Sequence, residues 1–114
     1  MHEGTLFNEL PLGLFELDES GRVIYYKPER DAAPVATEIV GCNFFDDIAS
    51  IKQSRELQEI IKNFTHSHQP AQNFNYAFDS NNHPPMPVKV LLARIHEQSS
   101  QGNSESVFVH IRKA

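Results

Sequence analysis

Leu10-Pro-Leu-Gly-Leu-Phe-Glu-Leu-Asp-Glu-Ser-Gly-Arg-Val-Ile-Tyr-Tyr26 is written as a β-hairpin. Leu12, Leu14, Phe15 and Leu17 alternate imperfectly with Glu16 along a first strand. Asp18-Glu-Ser-Gly21 then supplies the Asp and Gly that suit a four-residue connection. Val23 to Tyr26 returns as a strand rich in β-branched and aromatic residues. Lys27-Pro28 is expected to stop it, because proline cannot donate to a ladder. A second marker follows, Gly41-Cys-Asn-Phe-Phe-Asp-Asp47, after a weakly periodic segment from Glu29 to Val40 that reads as loops and short helical turns.

Beyond Gly41 the pattern becomes helical. Asn43 to Ala49 predicts a short helix, with Asn43 as its N-cap and Asp46 and Asp47 in the first turn, where the macrodipole favours negative charge. From Ser54, read as a cap, Leu57, Ile60, Ile61 and Phe64 recur on one face of a longer amphipathic helix that His66 to Pro70 ends. Three alternating strands follow, carrying Phe74, Tyr76 and Phe78, then Val88, Val90 and Leu92, then Val107, Val109 and Ile111. Asp79 to Pro87, with three prolines, and the polar stretch Glu97 to Ser104 read as surface connections. The order β-β-α-α-β-β-β fits an α+β fold, a five-stranded antiparallel sheet with its helices on one face and room for a ligand between the layers.

At 114 residues, 39% apolar and with eight Phe, the chain is sized for a single domain with one core. Ten Lys and Arg against 15 Asp and Glu give a net charge of −5, so the broad basic face of a nucleic-acid binder is not expected. No apolar run approaches the ~18 residues that cross a bilayer. Met1-His-Glu-Gly-Thr has neither the basic start nor the apolar core of a signal peptide, and a cytoplasmic location without membrane contact is expected. One cysteine, Cys42, excludes an internal disulfide and a thiolate metal site built from cysteine alone.

Leu10-Pro-Leu-Gly, Leu17-Asp-Glu-Ser-Gly, Ile24-Tyr-Tyr26, Val40-Gly-Cys-Asn-Phe-Phe-Asp-Asp-Ile-Ala49, Phe74-Asn-Tyr-Ala-Phe-Asp79, Pro87-Val-Lys-Val90 and Val107-Phe-Val109 resemble, in order and spacing, the photoactive yellow protein branch of PAS domains. The resemblance implies one PAS domain over residues 1–114, with its core between about 10 and 112. It also implies a sensory role. In that family a cysteine shortly after the Asn-Phe-Phe turn forms a thioester with a hydroxycinnamoyl chromophore, and a tyrosine and a glutamate hydrogen-bond its phenolate. Counting forward from Gly41, Ile51 occupies the cysteine's place, and isoleucine cannot form the thioester. Tyr26 matches the tyrosine, whereas the glutamate's place falls where this chain is shorter and leaves Glu29 as the nearest candidate. Fold and sensory role carry over; chromophore and photocycle do not.

Two sets of residues are candidates for function. Tyr26, Ile48, Ile51 and Phe78 would line the interior. The tyrosine hydroxyl either meets a ligand or bonds to backbone, and the apolar side chains either frame a small apolar pocket or fill it. Leu91, Ala93, Phe108 and His110 alternate with Val90, Leu92, Val107 and Val109, so both faces of the last two strands are partly apolar, and an exposed apolar sheet face marks a partner surface. The alternation alone leaves open which set faces inward. His66, His68 and His83 are read as exposed histidines and not as metal ligands. No histidine lies between Ile48 and Glu59, where PAS haem ligands usually stand, so no cofactor or metal is expected. No nucleophile elbow, phosphate loop or zinc-protease motif is present, and Asp46 and Asp47, adjacent on a helix, would diverge by about 100°. The expectation is a non-enzymatic PAS regulatory domain of the bacterial signalling type. It would work through a homodimer or a protein partner, with a small apolar ligand as an option. The alternative is a sensor holding haem, flavin or a non-covalent aromatic ligand. The ending Val109-His-Ile-Arg-Lys-Ala114 stops with the last strand, and a chain lacking a further linker helix would be expected to signal by binding other proteins.

Overall fold

The computed structural model describes residues 12–29, 39–80, 83–100 and 102–114. In chain order the elements are β1 (Gly13–Leu17), β2 (Val23–Pro28), α1 (Ala49–Gln53), α2 (Arg55–Thr65), β3 (Ala71–Ser80), β4 (His83–Ser99) and β5 (Gly102–Lys113). They form one antiparallel sheet in the order β2-β1-β5-β4-β3, the α+β architecture expected from the sequence.

The hairpin turn is built by Asp18. Its Oδ1 accepts from the Ser20 hydroxyl and from the backbone N–H groups of Ser20 and Arg22. Slight burial pushes the carboxyl pKa up, but those hydrogen bonds, with the charge of Arg22, outweigh it and hold the group below its usual range. The turn is stitched to the Gly41-to-Asp47 run. Phe44 N–H donates to the Gly21 carbonyl, Val23 N–H to that of Cys42, and Asn43 Nδ2 to that of Ser20. Gly21, at φ +89, also leaves room for the Phe45 ring, which a Cβ there would meet at 3.1 Å.

Several boundaries differ from the sequence reading for physical reasons. Asn43 does cap, its Oδ1 accepting from Phe45 and Asp46 N–H, but the turn it starts does not continue; the short helix is α1, beginning at Ala49. Ser54 precedes α2 without capping it, because its hydroxyl donates back to the Ser50 carbonyl. β2 runs on to Pro28, which an edge strand tolerates since its outer ladder is unused. Asp79 to Pro87 and Glu97 to Ser104 are largely strand and not connection. Residues 83–86 lie beyond the β4–β5 ladder and pair only with β3 among the described residues, so they too sit at an edge where prolines are allowed, and the polar stretch pairs from Glu97↔Ser104 to Ser99↔Gly102. Backbone ladders need no apolar side chains.

Phe15, Leu17, Val88, Val90, Leu92, Val107, Val109 and Ile111 face inward and pack on Phe44, Ile48, Ile51, Leu57, Ile61 and Phe64 in one buried cluster. Each such side chain contributes about 1.5–3 kcal/mol of burial free energy. Arg94 fastens the end of α2 to the sheet. Its Nη2 donates to the carbonyls of Phe64 (2.6 Å) and Ser67 (2.7 Å), and its guanidinium lies 5.0 Å from the Phe64 ring.

Candidate functional site

The interior candidates lie against one apolar cluster. Ile48 and Ile51 are wholly buried, Phe78 is buried, and Tyr26 packs half-buried on the cluster's edge. The Tyr26 ring stacks on Phe15 at 4.7 Å, and Phe15 meets Phe44 edge-on at 5.1 Å. Gly13 is what lets that ring lie over the backbone: at φ +154, a Cβ there would stand 2.9 Å from Tyr26 Cε1 and 2.5 Å from the Lys27 carbonyl oxygen. The Tyr26 hydroxyl donates to the Leu12 carbonyl at 3.1 Å. Burial, then the negative charge of Glu29, pushes its pKa above the ordinary tyrosine value.

These residues do not suit a covalent hydroxycinnamoyl group. Ile51 offers a hydrocarbon side chain in place of a nucleophile, the Tyr26 hydroxyl is given to backbone, and the Glu29 carboxylate is hydrogen-bonded to His110 Nε2 at 2.7 Å. Cys42 is half-buried in the turn, its carbonyl bonded to Val23.

Leu91, Ala93, Phe108 and His110 come together on the opposite side of the sheet. Cross-strand register sets Leu91 beside His110 and Ala93 beside Phe108, with Leu14 and Glu16 continuing the two rows onto β1 and Asn73 and Ala71 continuing them onto β3. Leu91 is 43% exposed, and Tyr25, beyond Glu16 on β2, is 45% exposed. At one end of this face lies a concavity of about 590 Å³, lined among others by Asn73, Asn75, Lys89, Leu91, His110 and Arg112. Lys89 and Arg112 stand directly opposite each other in the ladder, and no ion pair joins either to a carboxylate among the described residues.

His66 and His68 are exposed, with His66 Nδ1 2.9 Å from the Lys62 carbonyl, and the side chain of His83 lies outside the described residues. No group of three or more His, Cys, Asp or Glu converges among the described residues, and none of their helices is long and apolar enough to cross a membrane. Sequence reasoning missed the Arg94 clamp, whose partners are backbone carbonyls, and the Glu29–His110 bond, whose ends are 81 residues apart. Neither has a local pattern.

No protein-family profile matches the chain. Among curated proteins it is similar to photoactive yellow protein of Halochromatium salexigens, 32% identical over 74 residues, which cover 63% of this chain and 59% of the relative. The aligned segment therefore spans under two thirds of that relative's length. Among solved structures it resembles the PAS domain of Bordetella pertussis BvgS, with a TM-score of 0.58 and 12% identity over 91% of this chain and 77% of that one, a likeness of fold. Taken with the hairpin, the Gly-x-Asn-Phe-Phe turn and the five-stranded sheet, these similarities show a PAS fold with a sequence likeness to photoactive yellow protein over the aligned segment.

Proposed function

We propose that this chain is a regulatory PAS domain of bacterial-style signal transduction that works by protein–protein contact through the outer face of its sheet, and not by catalysis or a covalent chromophore. The observation behind this reading is the contrast between an interior closed by Ile48, Ile51 and Phe78 and an outer face on which Leu91 and Phe108 stay partly in water. An uncovered apolar patch on a small domain is the usual mark of an interface. The domain acts in the cytoplasm with a second copy or a signalling partner. Any small apolar ligand it accepts enters among Tyr26, Ile48, Ile51 and Phe78 by parting side chains that are now in contact with the core, so partner and ligand bias the same packing from opposite sides of the sheet.

The test is an absorption spectrum from about 300 to 700 nm with a native mass spectrum of the same purified sample. The expected result is no band above the protein's own absorption and a mass equal to the 13.0 kDa chain or a simple multiple of it. A visible band or excess mass would replace this reading with that of a cofactor-binding sensor.

A further inference from the structure

The outward-facing residues of β4 read Lys89, Leu91, Ala93, Ile95, Glu97. The series is symmetric about Ala93: a cation and an anion at the ends, a large aliphatic on either side, and a small residue at the centre. Reversed and laid upon itself, it sets Lys89 against Glu97, Leu91 against Ile95 and Ala93 against Ala93. We infer that the outer sheet face pairs with a second copy of this chain about a two-fold axis that crosses the strands at Ala93 and Phe108. The inference rests on the outer face being the interface, and it names the occupant.

Two further features fit that pairing. Beyond Arg94 and Val107, β4 and β5 pair only with each other among the described residues, because β3 leaves β4 at Ala93 and β1 leaves β5 at Val107. The result is a two-stranded arm with Ile95 and Glu97 on its outer side, and a two-stranded ribbon standing alone in water is marginal. The other end of the same face holds the concavity with Lys89 and Arg112 at its wall, two like charges side by side, an arrangement that disfavours itself unless an anion covers it. The two-fold brings each copy's arm, with Glu97, onto the other's concavity. Glu16, level with the axis, is turned aside to accept from the Ser106 hydroxyl at 2.7 Å. An axis along the strands would instead set the Lys89 and Arg112 pairs of the two copies at the same level, so charge selects the antiparallel arrangement. Strand spacings of ~4.8 Å and rises of ~3.3 Å make the footprint roughly 500 Å² per copy, near the lower bound for a specific dimer, so the association is weak.

Sedimentation equilibrium at tens to hundreds of micromolar protein and low salt tests this, with circular dichroism confirming that each variant is folded. The wild-type chain is expected as a monomer–dimer equilibrium. Lys89→Glu and Glu97→Lys each weaken it about tenfold, since every reversal counts twice across the axis, and the double variant recovers it to within about threefold. A wild-type chain that stays monomeric, or a double variant no better than the singles, overturns the pairing. Leu91→Asp separates the two levels of inference. If it abolishes a dimer that the charge swap does not restore, only the antiparallel pairing falls. If the dimer ignores Leu91→Asp, the outer-face reading falls as well.

Discussion

The two faces of this sheet are made from the same strands and even from adjacent residues, yet they do different things. Leu92 is wholly buried and Leu91, its neighbour on β4, is 43% exposed. On the inward side, aliphatic and aromatic side chains interdigitate with Phe44, Ile48, Ile51 and α2 until the interior is closed. The outward side has a similar aliphatic content along β4 but nothing laid on it among the described residues. The same chemistry is thus buried on one face and left partly in water on the other, the face proposed above as an interface. Ile51, wholly buried, brings a hydrocarbon and no reactive group to the interior, and the outside is the face with exposed apolar surface.

The sharpest way to break this comparison is to truncate the two leucines separately. Leu92→Ala should cost about 3 kcal/mol in urea unfolding, the usual range for a buried leucine, whereas Leu91→Ala should stay below about 1 kcal/mol. Equal losses would mean that the outer face is as much a structural core as the inner one.

A smaller effect belongs to the clamp that closes the inner layer. Arg94→Ala strips the charged donor from the carbonyls of Phe64 and Ser67 and should cost about 2 kcal/mol, with Arg94→Lys recovering only part of it, since an ammonium that meets these two acceptors cannot also supply the Nε donor that holds the Gln69 carbonyl. Gly13→Ala tests how tightly the hairpin is pressed onto that layer. Its Cβ would collide with the Lys27 carbonyl in a left-handed backbone, for a loss of about 1–2 kcal/mol in the same unfolding experiment.

The smallest effect is electrostatic and belongs to the solvent side. Asp18 has a folded-state pKa held below its ordinary 3.8, so the folded state binds its proton less readily than the unfolded chain. Its contribution is therefore present above that ordinary value and is lost as pH falls through the folded value. Asp18→Asn should destabilise the protein at neutral pH by less than about 0.5 kcal/mol after solvent screening. The difference from wild type should vanish in acid, as a pH series of urea midpoints would show. Tyr26 gives the opposite limb. Its pKa is raised, so the unfolded state loses the phenol proton first, and stability falls as pH climbs through and beyond the ordinary value of 10.0.

Much of the fold was legible because its markers are local. Asp18 with Gly21, the Asn43 cap, and the Leu57, Ile61 and Phe64 stripe each act within a few residues, and their residue types state the geometry they need. The β4–β5 arm was not legible, because alternation fades in the polar stretch after Glu97 although the backbone ladder continues without it. The prolines near residue 85 misled for a related reason: a proline forbids only a central strand, and the sequence alone does not show that one side of β4 is bare there. The outer-face set was named from alternation, but its inward or outward sense required the register. The sequence places Tyr26 against the interior, while the partner of its hydroxyl, the Leu12 carbonyl, depends on how β1 and β2 meet. Contacts such as Glu29 with His110 join residues whose spacing has no meaning in the chain.

The division of labour between the faces is tested most directly by a dilution series of nitrogen–proton correlation spectra, from about millimolar to tens of micromolar protein, the range in which a weak interface dissociates. Concentration-dependent shifts should gather on Lys89, Leu91, Ala93, Ile95, Glu97 and Phe108 and spare Ile48, Ile51 and Phe78. Spectra that do not change with concentration, or shifts centred on the interior residues, would contradict an outer face that works while the interior only holds the fold.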